Sequence, residues 1–356
     1  MRTPFPHLSP WLRGRVAAID HASQALRANP WGDPAHRDLW VWTPPGYGRD
    51  PAARLPAVLV LPGFGETGEG LLARRLDSPG LHTRFDHLLA ATDCPPFIAV
   101  FPDVASTLGG TQYVDSPGIG DYARWLALEV LPFVDGRFRT NGRWAVVGAS
   151  SGGFGALHLA LRFPGRFDAV GAVAPDMGFD LTVLDAISAG LGPITAAGGP
   201  RAFLDAYWAV PRAPDAHFMA LYLLCLSAAY GDGTPEADGF PGPLPVDPAT
   251  GALRPAVLAR WAAFDPLVRI EEPAAQDALR SLRVLALTAG DRDEHHLHLP
   301  LRRFAARAAA LGLPVTHAEF AGGHRGTAPH LAALVPALVR PLADAGPGAA
   351  GLGPAR

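Results

Sequence analysis

Trp144-Ala145-Val146-Val147-Gly148-Ala149-Ser150-Ser151-Gly152-Gly153-Phe154 is the stretch on which the reading of this chain turns. Residues 144–148 read as a buried strand, and Phe154, Leu157 and Leu161 recur at helical spacing directly after it. Between them, Gly148 to Gly152 fits the pattern G-x-S-x-G. A strand that turns straight into a helix forces the middle residue into strained backbone geometry, and glycines two before and two after it leave room for the close crossing of strand and helix. The pattern therefore predicts that the Ser150 hydroxyl stands out at the tip of a sheet. It also leaves the Ser151 N–H at the helix start, aimed at an oxygen that becomes anionic on attack. Ser151 is the rival nucleophile, but it would lie one residue into the helix without a flanking glycine pair.

Outward from this turn, short apolar runs alternate with helix-period stretches from residue 57 to 176, which is the pattern of a parallel sheet with crossover helices. Strands are expected at 57–61, 97–102, 144–148 and 169–174. A helix is expected through Tyr122, Leu126, Glu129, Val130 and Phe133, with Pro132 interrupting its pattern. Residues 16–21 and 39–42 look like an antiparallel pair at the sheet edge. From 177 to 272 the alternation stops, and a connection of that length must carry structure of its own, as a cap. Helical pieces are expected there at 202–208 and 217–230, separated by a stretch from 231 to 251 dense in Gly, Pro and Asp. Alternation resumes with a strand at 284–288, a helix face of Leu297, Leu301, Phe304, Ala308 and Leu311, a last strand at 315–320, and a last helix from 328 in which Pro336 makes a bend. The expected organisation is an α/β core formed by 1–176 and 273–345, a mainly helical cap at 177–272, and a disordered tail at 346–356.

A nucleophilic serine needs a base and a group that orients the base, and in a sheet of this type they follow in the order serine, acid, histidine. The last strand runs into Ala321-Gly322-Gly323-His324-Arg325-Gly326, where a glycine-rich loop can present the His324 ring to Ser150. The strand ending near Thr288 runs into Ala289-Gly290-Asp291-Arg292-Asp293-Glu294, which makes Asp293 the candidate acid. Asp291 and Glu294 compete for that role, and Asp176 at the end of an earlier strand is a further candidate. The loop Pro62-Gly63-Phe64-Gly65 after the first core strand can turn a backbone N–H inward, and Phe64 is the candidate for the second oxyanion donor beside Ser151. Tyr113, Asp115, Trp208 and Tyr222 are candidate substrate contacts. His295, His296 and His298 have the look of a metal cluster but lack a carboxylate or cysteine at helix spacing, so they are expected to be solvated residues at a helix start.

Composition narrows the classes of function. The chain has 356 residues, 49% of them hydrophobic, enough for a large core, and its 30 basic residues against 33 acidic ones give a net charge of -3. No run of like charge suits nucleic acid or an anionic membrane. The two cysteines, Cys94 and Cys225, sit in apolar surroundings and read as buried free thiols. The first ten residues lack the apolar run of a signal peptide, and no segment is long and apolar enough to span a bilayer, so the expected location is the cytoplasm.

Gly148-Ala149-Ser150-Ser151-Gly152-Gly153-Phe154-Gly155-Ala156-Leu157, with Asn29-Pro30-Trp31-Gly32-Asp33-Pro34 and Pro44-Pro45-Gly46-Tyr47, resembles the esterase family of α/β-hydrolases. That family includes enterochelin-esterase-like proteins, feruloyl esterases, S-formylglutathione hydrolases and mycolyltransferases. Gly109-Gly110-Thr111-Gln112-Tyr113 and the run 288–294 also resemble a subgroup with the same large insertion. The resemblance implies an α/β-hydrolase fold, a mostly parallel sheet with helices on both faces, and Asp293 as the acid. It departs from the family at Pro62-Gly63, where many members have His-Gly, which bears on the second oxyanion donor. The implied activity is hydrolysis of a small to medium, apolar or aromatic carboxylic ester through an acyl-enzyme, with no cofactor, no metal, no nucleic-acid or membrane partner, and a homodimer as a compatible assembly. Two other readings use the same residues: an acyltransferase, and a catalytically silent binding protein that keeps the fold.

Overall fold

The computed structural model describes residues 13–73 and 78–344. The tail expected at 346–356 lies outside the described residues. Eight strands form one sheet: β1 (Arg15–Ala22), β2 (His36–Thr43), β3 (Leu55–Leu61), β4 (Ile98–Pro102), β5 (Thr140–Ala149), β6 (Ala169–Val173), β7 (Val284–Gly290) and β8 (Val315–Phe320). Their spatial order is β1-β2-β4-β3-β5-β6-β7-β8. β2 pairs antiparallel with β1 and with β4, and every pair from β4 to β8 is parallel.

The central strands are apolar without a break because both their faces are covered. In β3, Leu59 and Leu61 face one core while Val58 and Val60 face the other, and all four are fully buried. On the second of these faces lie α1 (Leu81–Ala91) and the C-terminal helix Ala328–Ala343. On the first lie the helical run 122–137 and α2 (Ser151–Arg162). The run 122–137 continues through Pro132 because Trp125–Val130 is a π-helical turn. The backbone ladder is already displaced there, so a residue without an N–H costs little at that point.

Between β6 and β7 the chain forms α3 (Phe179–Ala197), α4 (Pro200–Trp208), a short 3₁₀ turn at Asp215–His217, α5 (Phe218–Tyr230), and shorter helices at Pro255–Ala262, Pro266–Arg269 and Pro273–Ser281. α5 is apolar on every side, and Ala220, Leu223, Leu224, Cys225, Ala228, Ala229 and Tyr230 are fully buried. A helix of that composition must be enclosed. Its Tyr230 ring lies 5.8 Å from Phe154 of α2 and 5.4 Å from Phe179 of α3, so the inserted helices share the core that packs on the sheet. The exposed ion pairs Arg303–Asp180 and Arg307–Glu271 also cross from this segment to the helix α6 (His298–Ala310), but solvated pairs contribute little beside that apolar contact. Among the described residues, no single helix is long and apolar enough to cross a membrane, and the α3–α4 pair that qualifies on length and composition together is bent by 84°. Cys94 and Cys225 are buried free thiols.

The strand-to-helix crossing at Gly148 and Gly152 leaves no room for a side chain. A Cβ on Gly152 would sit 2.2 Å from the Leu61 carbonyl oxygen, and one on Gly148 would sit 2.2 Å from that of Gly152. Gly165, by contrast, has a φ of +81° and nothing within 4 Å of an added Cβ. Gly152→Ala is expected to cost about 3 kcal/mol, because rigid backbone must move, whereas Gly165→Ala should cost about 1 kcal/mol, from left-handed strain alone. Urea unfolding of the two variants beside wild type measures the difference, and equal costs would contradict the crossing.

Candidate active site

Ser150 joins β5 to α2 with φ 55° and ψ −125°, a conformation that side-chain-bearing residues seldom adopt. Its N–H donates to the Val173 carbonyl of β6 at 2.9 Å, and its carbonyl accepts from the N–H groups of Phe154 and Asp176. The turn is thereby tied to the neighbouring strand, and Ser150 faces a cavity of about 690 Å³ also lined by Phe64, Asp176, Tyr222, His295 and His324. Ser151 N–H opens the helix and has no carbonyl one turn earlier to pair with.

His324 follows β8, as its glycine-rich loop predicts. Its Nδ1 lies 2.8 Å from Oδ2 of Asp293, whose carboxylate is buried and also accepts the N–H of His295 at 2.9 Å through Oδ1. The other two acids of that loop are engaged with backbone: Glu294 accepts the His324 N–H at 2.5 Å, and Asp291 accepts the Gly322 N–H at 2.9 Å. Burial disfavours the charged form of Asp293, but the His324 partner and the backbone N–H groups outweigh it and hold the carboxyl below its usual value. Burial likewise works against a charged His324, yet the hydrogen bond and charge of Asp293, with Asp176 and Glu294 behind them, raise the imidazole above its ordinary value of 6.5.

The Ser150 hydroxyl makes its hydrogen bond to Asp176 Oδ1, at 3.3 Å, and among the described residues no hydrogen bond joins it to His324. Asp176, weighed from sequence only as an alternative acid, is 6% exposed. Its Oδ2 also accepts from the Ser151 hydroxyl at 2.7 Å and from the Tyr222 hydroxyl at 2.8 Å. Burial and then the Asp176 charge push the Tyr222 phenol well up, so it stays a donor. In the loop after β3, the Gly63 N–H donates to Glu66 at 3.1 Å, whereas the Phe64 N–H has no acceptor among the described residues.

The four expected substrate contacts divide. Tyr222 lines the cavity. Tyr113 does not: it is 2% exposed, its hydroxyl donates to the Pro62 carbonyl, and its ring lies where a Cβ on Gly155 would be, 2.3 Å from Tyr113 Cδ2. Its φ of 56° turns the ring inward, so it wedges the loop after β3 against α2. Asp115 accepts the Arg124 N–H and borders a separate shallow depression. Trp208 is 55% exposed, donates its indole N–H to the Thr107 carbonyl, and does not line the cavity. The three histidines also separate: His295 stands edge-on to the His324 ring with centroids 4.7 Å apart, while His298 is buried at the start of α6 rather than solvated. Missed from sequence were Glu66 and His295 as cavity residues, since neither carries a motif beyond its nearness to the two loops.

A ferulic acid esterase structure is similar to this chain at a TM-score of 0.57 and 19% identity, covering 92% of this chain and 98% of that one. An S-formylglutathione hydrolase from Agrobacterium tumefaciens superposes at 0.54 with 15% identity, covering 93% and 95%. A feruloyl esterase module from Clostridium thermocellum complexed with sinapinate does so at 0.51 with 13% identity, covering 95% and 92%. At these identities the likeness establishes the α/β-hydrolase fold. No curated protein sequence matches the chain. The family described as "Putative esterase" matches residues 35–339, and on that span the chain belongs to the esterase family of α/β-hydrolases.

Proposed function

We propose that this protein is a serine carboxylic ester hydrolase with Ser150 as nucleophile, His324 as general base and Asp293 as the residue that orients and charges-balances the imidazole. The observation that carries the reading is the Asp293–His324 pair at 2.8 Å on the wall of the cavity into which the Ser150 turn projects. Proton transfer requires the Ser150 hydroxyl to turn about χ1 from Asp176 toward the imidazole, both being on the same cavity wall. His324 takes the Ser150 proton as Oγ bonds to the ester carbonyl carbon. The carbonyl oxygen takes up the electron pair as an oxyanion, which the N–H groups of Ser151 and Phe64 stabilise. The imidazolium then gives its proton to the departing alcohol, and water, activated by the same imidazole, releases the acid and restores Ser150.

The cavity walls include Phe64, Phe179, Val183, Phe218 and Met219, which suits an apolar or aromatic ester of small to medium size. The oxyanion role of Phe64 is favoured over Gly63 because the Gly63 N–H is already given to Glu66.

Ser150→Ala is expected to lower kcat for 4-nitrophenyl esters by roughly a thousandfold or more while its circular dichroism stays that of the folded wild type. Activity kept within tenfold would remove Ser150 from the mechanism. The base must be neutral to act, so kcat/KM should fall as pH drops through the His324 pKa, with the midpoint above 6.5. In Asp293→Asn the raising partner is lost, so activity falls and the midpoint of the acid limb moves down. A pH profile of both proteins measures this, and an unmoved midpoint would dissociate Asp293 from His324.

A further inference from the structure

Asp176 holds a carboxylate against the nucleophile on a side the mechanism above does not use. Its two oxygens are unequally provided for. Oδ2 has two donors, the hydroxyls of Ser151 and Tyr222, at 2.7 and 2.8 Å. Oδ1 has one side-chain donor among the described residues, the Ser150 hydroxyl at 3.3 Å. The group is 6% exposed, and a carboxylate that far from bulk water is costly to leave without donors.

The reaction itself removes that donor. Once Ser150 is acylated, its Oγ carries a carbonyl carbon in place of the proton and has nothing to give Oδ1. With the leaving alcohol gone, the replacement comes from cavity water or from the bound acyl group, and a donor carried by the acyl group spares the site from ordering a water there. Such a donor must also lie close to the carbonyl, because Oδ1 is one hydrogen-bond length from Oγ in the resting rotamer, and Oγ stays on the same Cβ when it turns to the imidazole. An O–H or N–H on the first or second carbon of the acyl chain meets both conditions.

We infer that Asp176 is a specificity-determining residue which selects acyl groups bearing a hydroxyl or amino donor on the α or β carbon. This rests on Ser150 being the nucleophile. The remainder of such an acyl group would lie against Phe179, Val183 and Met219 on the same cavity wall.

The test uses the full chain and matched 4-nitrophenyl esters: 3-hydroxybutyrate against butyrate, lactate against propionate, and alanine against propionate. The first two pairs probe a hydroxyl and the third an amine. Wild type is expected to favour the donor-bearing member of at least one pair by about tenfold or more in kcat/KM. Asp176→Ala should bring that ratio close to one, and the isosteric Asp176→Asn should lower it several-fold, because a neutral amide accepts more weakly than a carboxylate. Tyr222→Phe, which removes a donor from Oδ2 alone, should retain the preference. A ratio near one in wild type for all three pairs, with turnover abolished in Ser150→Ala, overturns the inference while the nucleophile stands. A preference that persists undiminished in Asp176→Ala assigns it elsewhere and overturns the inference too. Failure of wild type to hydrolyse any of these esters, together with failure of a fluorophosphonate to label Ser150, sinks the underlying reading instead.

Discussion

The backbone of Ser150 is held from both sides, by the Val173 carbonyl on its N–H and by the Asp176 and Phe154 N–H groups on its carbonyl. These bonds keep a residue at φ 55° that would otherwise relax, and so they fix where the hydroxyl can go. They are possible only because α2 crosses close to β3, with Gly152 against the Leu61 carbonyl. The same crossing brings the loop after β3 beside the elbow, where Tyr113 wedges it by bonding to Pro62 and packing on Gly155. The candidate oxyanion donors and the hydroxyl are therefore positioned by one backbone arrangement, and a shift in it would displace all of them together.

Two carboxylates act on this centre in different ways. Asp293 lies behind the imidazole, buried, with its charge satisfied by His324 and by backbone N–H groups. It favours the protonated imidazole, which is the state that the proposed mechanism forms. Asp176 lies beside the serine and is satisfied by hydroxyls, whose O–H bonds can rotate toward other acceptors. A carboxylate held by backbone is a fixed element of the scaffold, while one held by hydroxyls can exchange partners as the reaction proceeds. That difference in donor type, more than distance, separates the surroundings of the two acids.

Much of this was legible in the sequence, for local reasons. The elbow, the strands from β3 to β8 and the loops carrying Asp293 and His324 are each coded by short patterns: apolar runs of strand length, glycines where backbones cross, and an acid or a histidine just past a strand end. β8 at 315–320 coincides with its expected bounds, since an amphipathic strand between Gly312 and Gly322 has sharp edges. α3 was not legible. Its 19 residues contain Gly190, Gly192 and Pro193, which argue locally against a helix, and it persists because Val183, Ala186, Ile187 and Ile194 pack in the core with α5. The places of Tyr113 and Trp208 were not legible for a related reason. An aromatic residue near a site in sequence can serve the scaffold or the cavity, and only the long-range partner, here Pro62 or Thr107, decides between them.

Tyr222 connects the insertion to the chemistry. It belongs to α5, whose apolar surface anchors it in the core shared with the sheet, and its hydroxyl reaches Asp176 at 2.8 Å. A helix so enclosed cannot shift without opening that core, so the phenol is presented to the carboxylate as rigidly as Ser151 is from the other side. These two hydroxyls engage Oδ2 and leave Oδ1 facing Ser150. The inserted helices thus bear on the site itself: through Tyr222 they set which oxygen of Asp176 is left toward Ser150.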